Sequence, residues 1–325
     1  MQFAAVPLAQ ASGAILAHSQ QIAGGRLRKG LILQEEHLDA LRASGLREVV
    51  VARLGPGDLG EDAAALRLGR ALLGEGLRLS VATGGRVNLF AEGPGVLEVS
   101  RARVDALNNV DPMITLATLP EWSETAPDGL VATVKIISYG VGEAALEQAC
   151  QAGRGALPLH RPRLPTAALI QTGNQDKLFD KGRRALASRL GRFDARLIQH
   201  ETVAHEVEAL AQALAQARGD VLFILTHSAT SDINDVAPTA LRQAGGHVER
   251  FGMPVDPGNL LFIGALGGRP VIGLPGCARS LALNGADWVM ARVLCGITVS
   301  ADDIAGMGVG GLLKEMPSRP QPRET

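Results

Sequence analysis

Five consecutive bulky apolar residues, Val221-Leu222-Phe223-Ile224-Leu225, run directly into a ten-residue stretch, Thr226 to Asp235, in which Ile233 is the one bulky apolar side chain. A short unbroken apolar run reads as a strand covered on both faces, the central position of a parallel sheet with helices on either side. The expected strand covers residues 221–226. The segments around it have the same grammar. Thr166–Thr172 (TAALIQT) predicts a strand, residues 176–190 a helix, residues 195–200 a strand and residues 204–217 an amphipathic helix. Beyond the central strand, residues 235–243 predict a short helix stopped at Gly245-Gly246, where glycine suits a left-handed cap. Strands are expected at His247–Phe251, residues 260–266 and residues 269–274, and then one long helix over residues 277–294. This is an α/β pattern of βαβ units, which predicts a three-layer α/β/α domain with a mostly parallel sheet.

The first half has a less regular rhythm. Strands are expected at residues 14–18, 31–33, 48–54, 77–82, 96–99 and 130–137, with helices at residues 35–44, 62–73, 101–108 and 142–151. The pattern fits one or two small α/β or barrel-like units. Residues 153–165 hold Pro158, Pro162 and Pro165 beside Arg154, Arg161 and Arg163, which suits a linker. The expected division is an N-terminal α/β region over residues 1–160, a second domain over residues 161–315, and a flexible tail over residues 316–325.

A chain of 325 residues with 46% hydrophobic composition carries enough apolar surface for two cores without covalent staples. Its formal net charge of -1 exerts no general pull on nucleic acid or anionic lipid, so neither is an expected partner. Cys150, Cys277 and Cys295 are odd in number and lack metal-ligand spacing, which argues against a disulfide framework or a structural zinc site. No uncharged apolar run approaches the roughly 18 residues that span a bilayer. The opening residues carry no basic group before Arg26, and Pro7, Gln10 and Ser12 interrupt their apolar stretch, unlike a secretory leader. These features fit the reducing cytoplasm.

Ligands of open α/β sheets bind beyond the carboxyl ends of the strands, where backbone N–H groups and helix N-termini gather. Three loops hold that position here. Thr172-Gly173-Asn174 follows the first strand, and is equally ordinary as a strand-to-helix turn. Thr226, His227, Ser228, Ala229, Thr230 and Ser231 follow the central strand with hydroxyls and amides suited to a phosphate. Asp232 and Asp235 end that loop, and a carboxylate beside a phosphate implies a bridging Mg²⁺ or a role in orienting a reacting group. Asp235 also fits a plain helix cap, and His227 a structural hydrogen-bonder. Gly273-Leu274-Pro275-Gly276 with Ser280 forms the third loop. Pro257-Gly258 adds a type II turn signal. Cys277 fits a buried thiol better than a nucleophile, Asp111 fits turn chemistry, and the phosphate loop GxxxxGK[ST] is absent.

The order and spacing of these loops resemble the molybdopterin-binding domain shared by molybdopterin adenylyltransferases and molybdopterin molybdotransferases. The family's strand-TG-helix opening resembles Thr172-Gly173-Asn174, and its TSGG loop resembles Thr226 to Asp235. Its PG turn resembles Pro257-Gly258, and its GLPG corner with a following serine is met by Gly273-Leu274-Pro275-Gly276 and Ser280. Asp235-Val236-Ala237-Pro238-Thr239-Ala240 is similar to the adenylyltransferase segment that carries an essential aspartate. In the first half, Val6-Pro7-Leu8, Leu27-Arg28-Lys29-Gly30 and Val49-Val50-Val51 resemble molybdotransferase segments, and the longest likeness is to the molybdopterin-binding half of cytidylyltransferase fusion proteins.

The resemblance implies binding of molybdopterin or molybdenum cofactor, with Asp235 and Asp232 as catalytic candidates and Asp235 as the Mg²⁺ ligand. It implies a role in biosynthesis, modification or delivery of the cofactor, with a cytidylyltransferase or a molybdoenzyme as partner, and association into a homo-oligomer. Departures are also plain. Ser228 and Ala229 replace the paired glycines of the family loop, Asp256 stands where a lysine is usual, and the NSAMDGYA-like motif of molybdotransferases is missing. These favour a non-catalytic carrier as one alternative, and a pyridine-nucleotide amidohydrolase, built on a related domain, is another.

Overall fold

The computed structural model describes residues 1–173 and 177–313. The chain divides into two compact units, one of Met1–Gly93 with Leu97–Leu159, the other from His160 onward with Pro94–Val96. The tail expected at residues 316–325 lies outside the described residues.

In the first unit, strand Glu48–Arg53 runs antiparallel to Gln2–Pro7 on one side and Ile15–Leu16 on the other. Helix Glu35–Ala43 starts in a capping box between Gln34 and His37, and its Leu38 and Leu41 close a small core over Leu16, Val49 and Val51. A second, four-stranded antiparallel sheet has the order Ile114–Thr118, Leu130–Ile136, Arg86–Ala91, Leu77–Leu79. Helices Glu61–Leu72 and Glu143–Gly153 bury Leu68, Leu72, Leu146 and Ala149 against it. All four helices expected in this half are present within two residues of their expected ends. Strands Gln2–Pro7, Arg86–Ala91 and Ile114–Thr118 were not expected, and residues 31–33 form only a single bridge, at Ile32.

The second unit holds a six-stranded sheet built from β1 (Thr166–Thr172), β2 (Arg196–Val203), β3 (Val221–Leu225), β4 (His247–Phe251), β5 (Phe262–Leu266) and β6 (Arg269–Gly273). Its order is β2-β1-β3-β6-β5-β4. Strands β2, β1, β3 and β6 are parallel, and β5 turns back antiparallel between β6 and β4. It is the mostly parallel α/β sheet that the strand pattern implies. The even-numbered side chains Ala168, Ile170, Leu222 and Ile224 pack with helices α2 (Val207–Gln216) and α3 (Val236–Gln243). On the opposite face lie α1 (Lys177–Gly191), whose Gly182 abuts Leu225 and Gln171, and α4 (Gly285–Leu294), tied to α1 by Arg189 and Asp287. A last helix, α5 (Ala301–Gly306), was not expected.

The long helix expected over residues 277–294 is two elements. Gly276–Arg279 is a 3₁₀ turn, Ser280 is extended, and α4 begins only after Asn284. Asn284 accepts from the Ala286 amide at 3.0 Å while Asp287 accepts from the Asn284 amide at 3.0 Å, a reciprocal cap that outweighs the helical spacing of the preceding leucines.

Gly273 ends β6 against the ring of Phe262, which occupies the space a side chain would need. Gly273→Ala is expected to lower stability by about 1–3 kcal/mol, read as a shifted urea midpoint at unchanged slope. The companion change Phe262→Leu, which vacates the space, should recover part of the loss in the same measurement.

Candidate functional site

Strand order reverses at β1. The chain passes from β1 outward to β2, then returns across the sheet to β3. Crossover helices α1 and α2 therefore leave on opposite faces, the arrangement in which open α/β sheets take ligands beyond the carboxyl ends of the two strands. Both ends carry threonines that are buried, Thr172 at 0% and Thr226 at 5% exposure.

The first two loops are hydrogen-bonded together. Thr172 Oγ1 accepts from the His227 amide at 3.3 Å and lies 2.7 Å from His205 Nδ1. The other ring nitrogen of His205 lies 3.2 Å from Ser228 Oγ. Gly173 has φ of +115°, and a Cβ there would come within 2.7 Å of the His227 side chain. Glycine is needed for both the left-handed backbone and the close approach. Asn174 lies outside the described residues.

The Thr226–Asp235 loop is internally laced. Thr226 Oγ1 donates to the Ser228 carbonyl at 2.6 Å and contacts Thr230 Oγ1 at 3.2 Å, while Ser231 Oγ donates to the Ala229 carbonyl at 3.4 Å. Asp232 Oδ1 accepts from the Asn234 amide at 2.7 Å. Asp235 caps α3, with Oδ1 accepting from the Val236 amide at 2.8 Å and Oδ2 from the Ser231 amide at 3.0 Å. Both acidic side chains thus shape the loop backbone. In contrast, the amides of Ser228, Ala229 and Thr230 have no acceptor among the described residues. These three consecutive donors precede the N-terminus of α3 in the chain.

The third loop joins through Arg279, whose Nη2 donates to the Thr226 carbonyl at 2.6 Å, and through the Leu274 amide, which donates to Ile224 at 2.8 Å. Pro275 leads into the 3₁₀ turn, and a Cβ at Gly276 would meet only Arg279 Nη1, at 3.7 Å. Ser280 uses its hydroxyl to accept from the Ala282 amide at 3.2 Å. Its carbonyl accepts from Arg189 Nη2 at 2.7 Å. Arg189, 3% exposed, also donates to the Ala278 carbonyl at 2.9 Å, the Ala282 carbonyl at 3.2 Å and Asp287 Oδ1 at 2.8 Å. Among the described residues no hydrogen bond ties Pro257-Gly258 to these loops. The Pro257 carbonyl accepts from the Gly285 amide at 2.8 Å, and Gly258 packs on Gly285, so the turn seats the start of α4.

Three residues that organise the site, His205, Arg189 and Arg279, were not singled out from the sequence. Gln171, fully buried on the α1 side of β1, accepts through its Oε1 from His200 Nε2 at 2.8 Å. Partial burial, with the Arg183 cation adding to it, holds the His200 imidazole below its usual range. Cys277 is half-buried in the 3₁₀ turn, and no disulfide joins the described cysteines. Among the described residues no three acidic, histidine or cysteine side chains cluster as a metal site. A cation at Asp235 would need oxygen ligands from a bound anion and water. Among the described residues no helix is long and apolar enough to cross a membrane.

The second unit thus belongs to the class of open, mostly parallel α/β domains with a topological switch point. Residues 5–53 match a family model described as a domain of unknown function (DUF8806). Similar solved structures include a molybdopterin biosynthesis moea protein from Pyrococcus horikosii, at 14% identity and TM-score 0.33, covering 91% of this chain and 75% of that one. Molybdenum cofactor biosynthesis protein B follows at 15% identity and TM-score 0.31, covering 42% and 96%. The protein CinA with unknown function from Thermoplasma acidophilum follows at 19% identity and TM-score 0.24, covering 36% and 92%. Likenesses this low carry no functional argument. No curated protein matches the chain.

Arg189 is the internal clamp of the third loop. Arg189→Leu strands carbonyls of that loop and part of the Asp287 charge, and is expected to cost about 3 kcal/mol, the low end for breaking a buried pair because Arg192 still reaches Asp287 at 2.8 Å. Chemical unfolding checks this, and a loss below about 1 kcal/mol would refute the clamp.

Proposed function

We propose that the loops beyond β1 and β3 bind a phosphate-bearing pterin, molybdopterin or molybdenum cofactor, and that the protein acts in the biosynthesis, modification or delivery of that cofactor. The observation that carries the reading is the row of amides at Ser228, Ala229 and Thr230. They stand in a loop tied to both neighbouring loops and placed ahead of α3. Such a cradle favours a phosphate, and the likeness of the Thr172-Gly173, Thr226–Asp235 and GLPG segments to the molybdopterin-binding family supplies the pterin. Pro257 and Gly258 are dropped from the contact set of this proposal, since they seat α4.

A second reading, binding without turnover, is favoured by Asp235. Both of its carboxylate oxygens are engaged by backbone amides, which is the work of a cap rather than of a reacting group. In this reading the protein presents the cofactor to a cytidylyltransferase or a molybdoenzyme. Mg²⁺, if bound, arrives with the ligand's phosphate beside Asp235.

Purified protein is expected to carry, or take up from solution, the fluorescence of molybdopterin released from a molybdoenzyme. Gly276→Leu, which fills the open space at the third loop, should weaken uptake at least about tenfold, roughly 1.4 kcal/mol, with an unchanged unfolding curve. Asp235→Ala should cost about 1 kcal/mol of stability through loss of the cap. Turnover lost with binding retained would favour the catalytic reading. Wild-type protein that neither carries nor takes up pterin would end the assignment.

A further inference from the structure

His205 lies between two hydroxyls on different strands' loops. Its Nε2 is 3.2 Å from Ser228 Oγ and its Nδ1 is 2.7 Å from Thr172 Oγ1. Thr172 is fully buried and fixed in turn, because the same Oγ1 accepts from the His227 amide. Ser228 is exposed, on a loop whose next two amides, Ala229 and Thr230, have no acceptor among the described residues. A nucleophile within hydrogen-bond reach of a base, a third group orienting that base, and adjacent N–H donors for an oxyanion are the parts of a covalent catalytic centre.

We propose that Ser228, His205 and Thr172 form a serine nucleophile centre acting on small carboxylic esters. The assignment does not depend on the pterin reading, although it uses the same loop. Thr172 Oγ1 accepts from Nδ1–H, leaving Nε2 unprotonated toward Ser228. Ser228 Oγ attacks the ester carbonyl carbon while its proton passes to His205 Nε2. The carbonyl oxygen becomes an oxyanion beside the Ala229 and Thr230 amides. Collapse breaks the carbon–oxygen bond to the alcohol, which leaves with the proton from Nε2. Water then attacks the acyl-serine, losing its proton to His205, and the carboxylic acid is released with Ser228 restored.

The experiment is covalent labelling of the full chain with diisopropyl fluorophosphate, followed by peptide mass spectrometry and timed hydrolysis of p-nitrophenyl acetate. Attack on phosphorus expels fluoride and leaves a diisopropylphosphoryl group on the serine. Labelling is expected at Ser228 alone among the serines. His205→Gln should slow it at least about 100-fold. Thr172→Val should slow it about tenfold, while Thr172→Ser, which keeps the hydroxyl, should label at the wild-type rate. A merely structural hydrogen-bond chain predicts no labelling at Ser228, and that result overturns the proposal. So does labelling that is indifferent to His205→Gln in folded protein. If His205→Gln fails to fold, the Thr172 pair decides, with equal rates in Val and Ser variants counting against it. Labelling in protein that binds no pterin would leave this centre standing and remove the other assignment.

Discussion

The geometry of the second unit follows from one constraint, the reversal of strand progression at β1. Parallel strands need long crossovers, and crossovers leaving β1 and entering β3 lie on opposite faces. Helices therefore cannot cover the carboxyl ends of both strands. Thr172 ends β1 and Thr226 directly follows β3, and each is a point of attachment for neighbouring loops. His205 hydrogen-bonds to the first, and Arg279 holds the carbonyl of the second.

The loops that meet there are stabilised by different means. Hydroxyls and carboxylates within the Thr226–Asp235 segment satisfy the backbone locally, through residues no more than four apart. A buried cation organises the third loop from the opposite side, with Arg189 spanning 98 residues to Asp287. The Ser228 hydroxyl fits this picture, since it reaches His205 and adds a polar contact between neighbouring loops.

Legibility in the sequence divided along the same line. Strands β1 and β3 could be read almost to the residue, because continuous burial on two faces demands continuous apolar runs. Asp235 was visible both as a cap and as a catalytic candidate, and its observed bonds are those of the cap. The break before α4 was hidden because Leu281 and Leu283 continue a plausible helical face, while the signal that stops it is the Asn284–Asp287 pair. In the first half, Arg86–Ala91 alternates buried side chains with exposed or half-buried ones, but Phe90 on the outer face blurs the alternation of polar and apolar residues. His205, Arg189 and Arg279 were invisible for a simpler reason. Their partners stand 33, 98 and 53 residues away, and only the folded chain puts them in reach.

The saturation of Arg189 has a mechanical consequence. Pulling the segment around Ser280 away from the sheet would uncover a guanidinium and a carboxylate together, so that segment moves only when α1 and α4 part. The span from His227 to Ser231 has no buried ion pair among the described residues; the His227 amide on Thr172 and the Ser231 amide on Asp235 hold its ends, and water can replace the outer hydroxyl contacts. The two sides of the site are accordingly held unequally, one by a buried ion pair and the other by single hydrogen bonds.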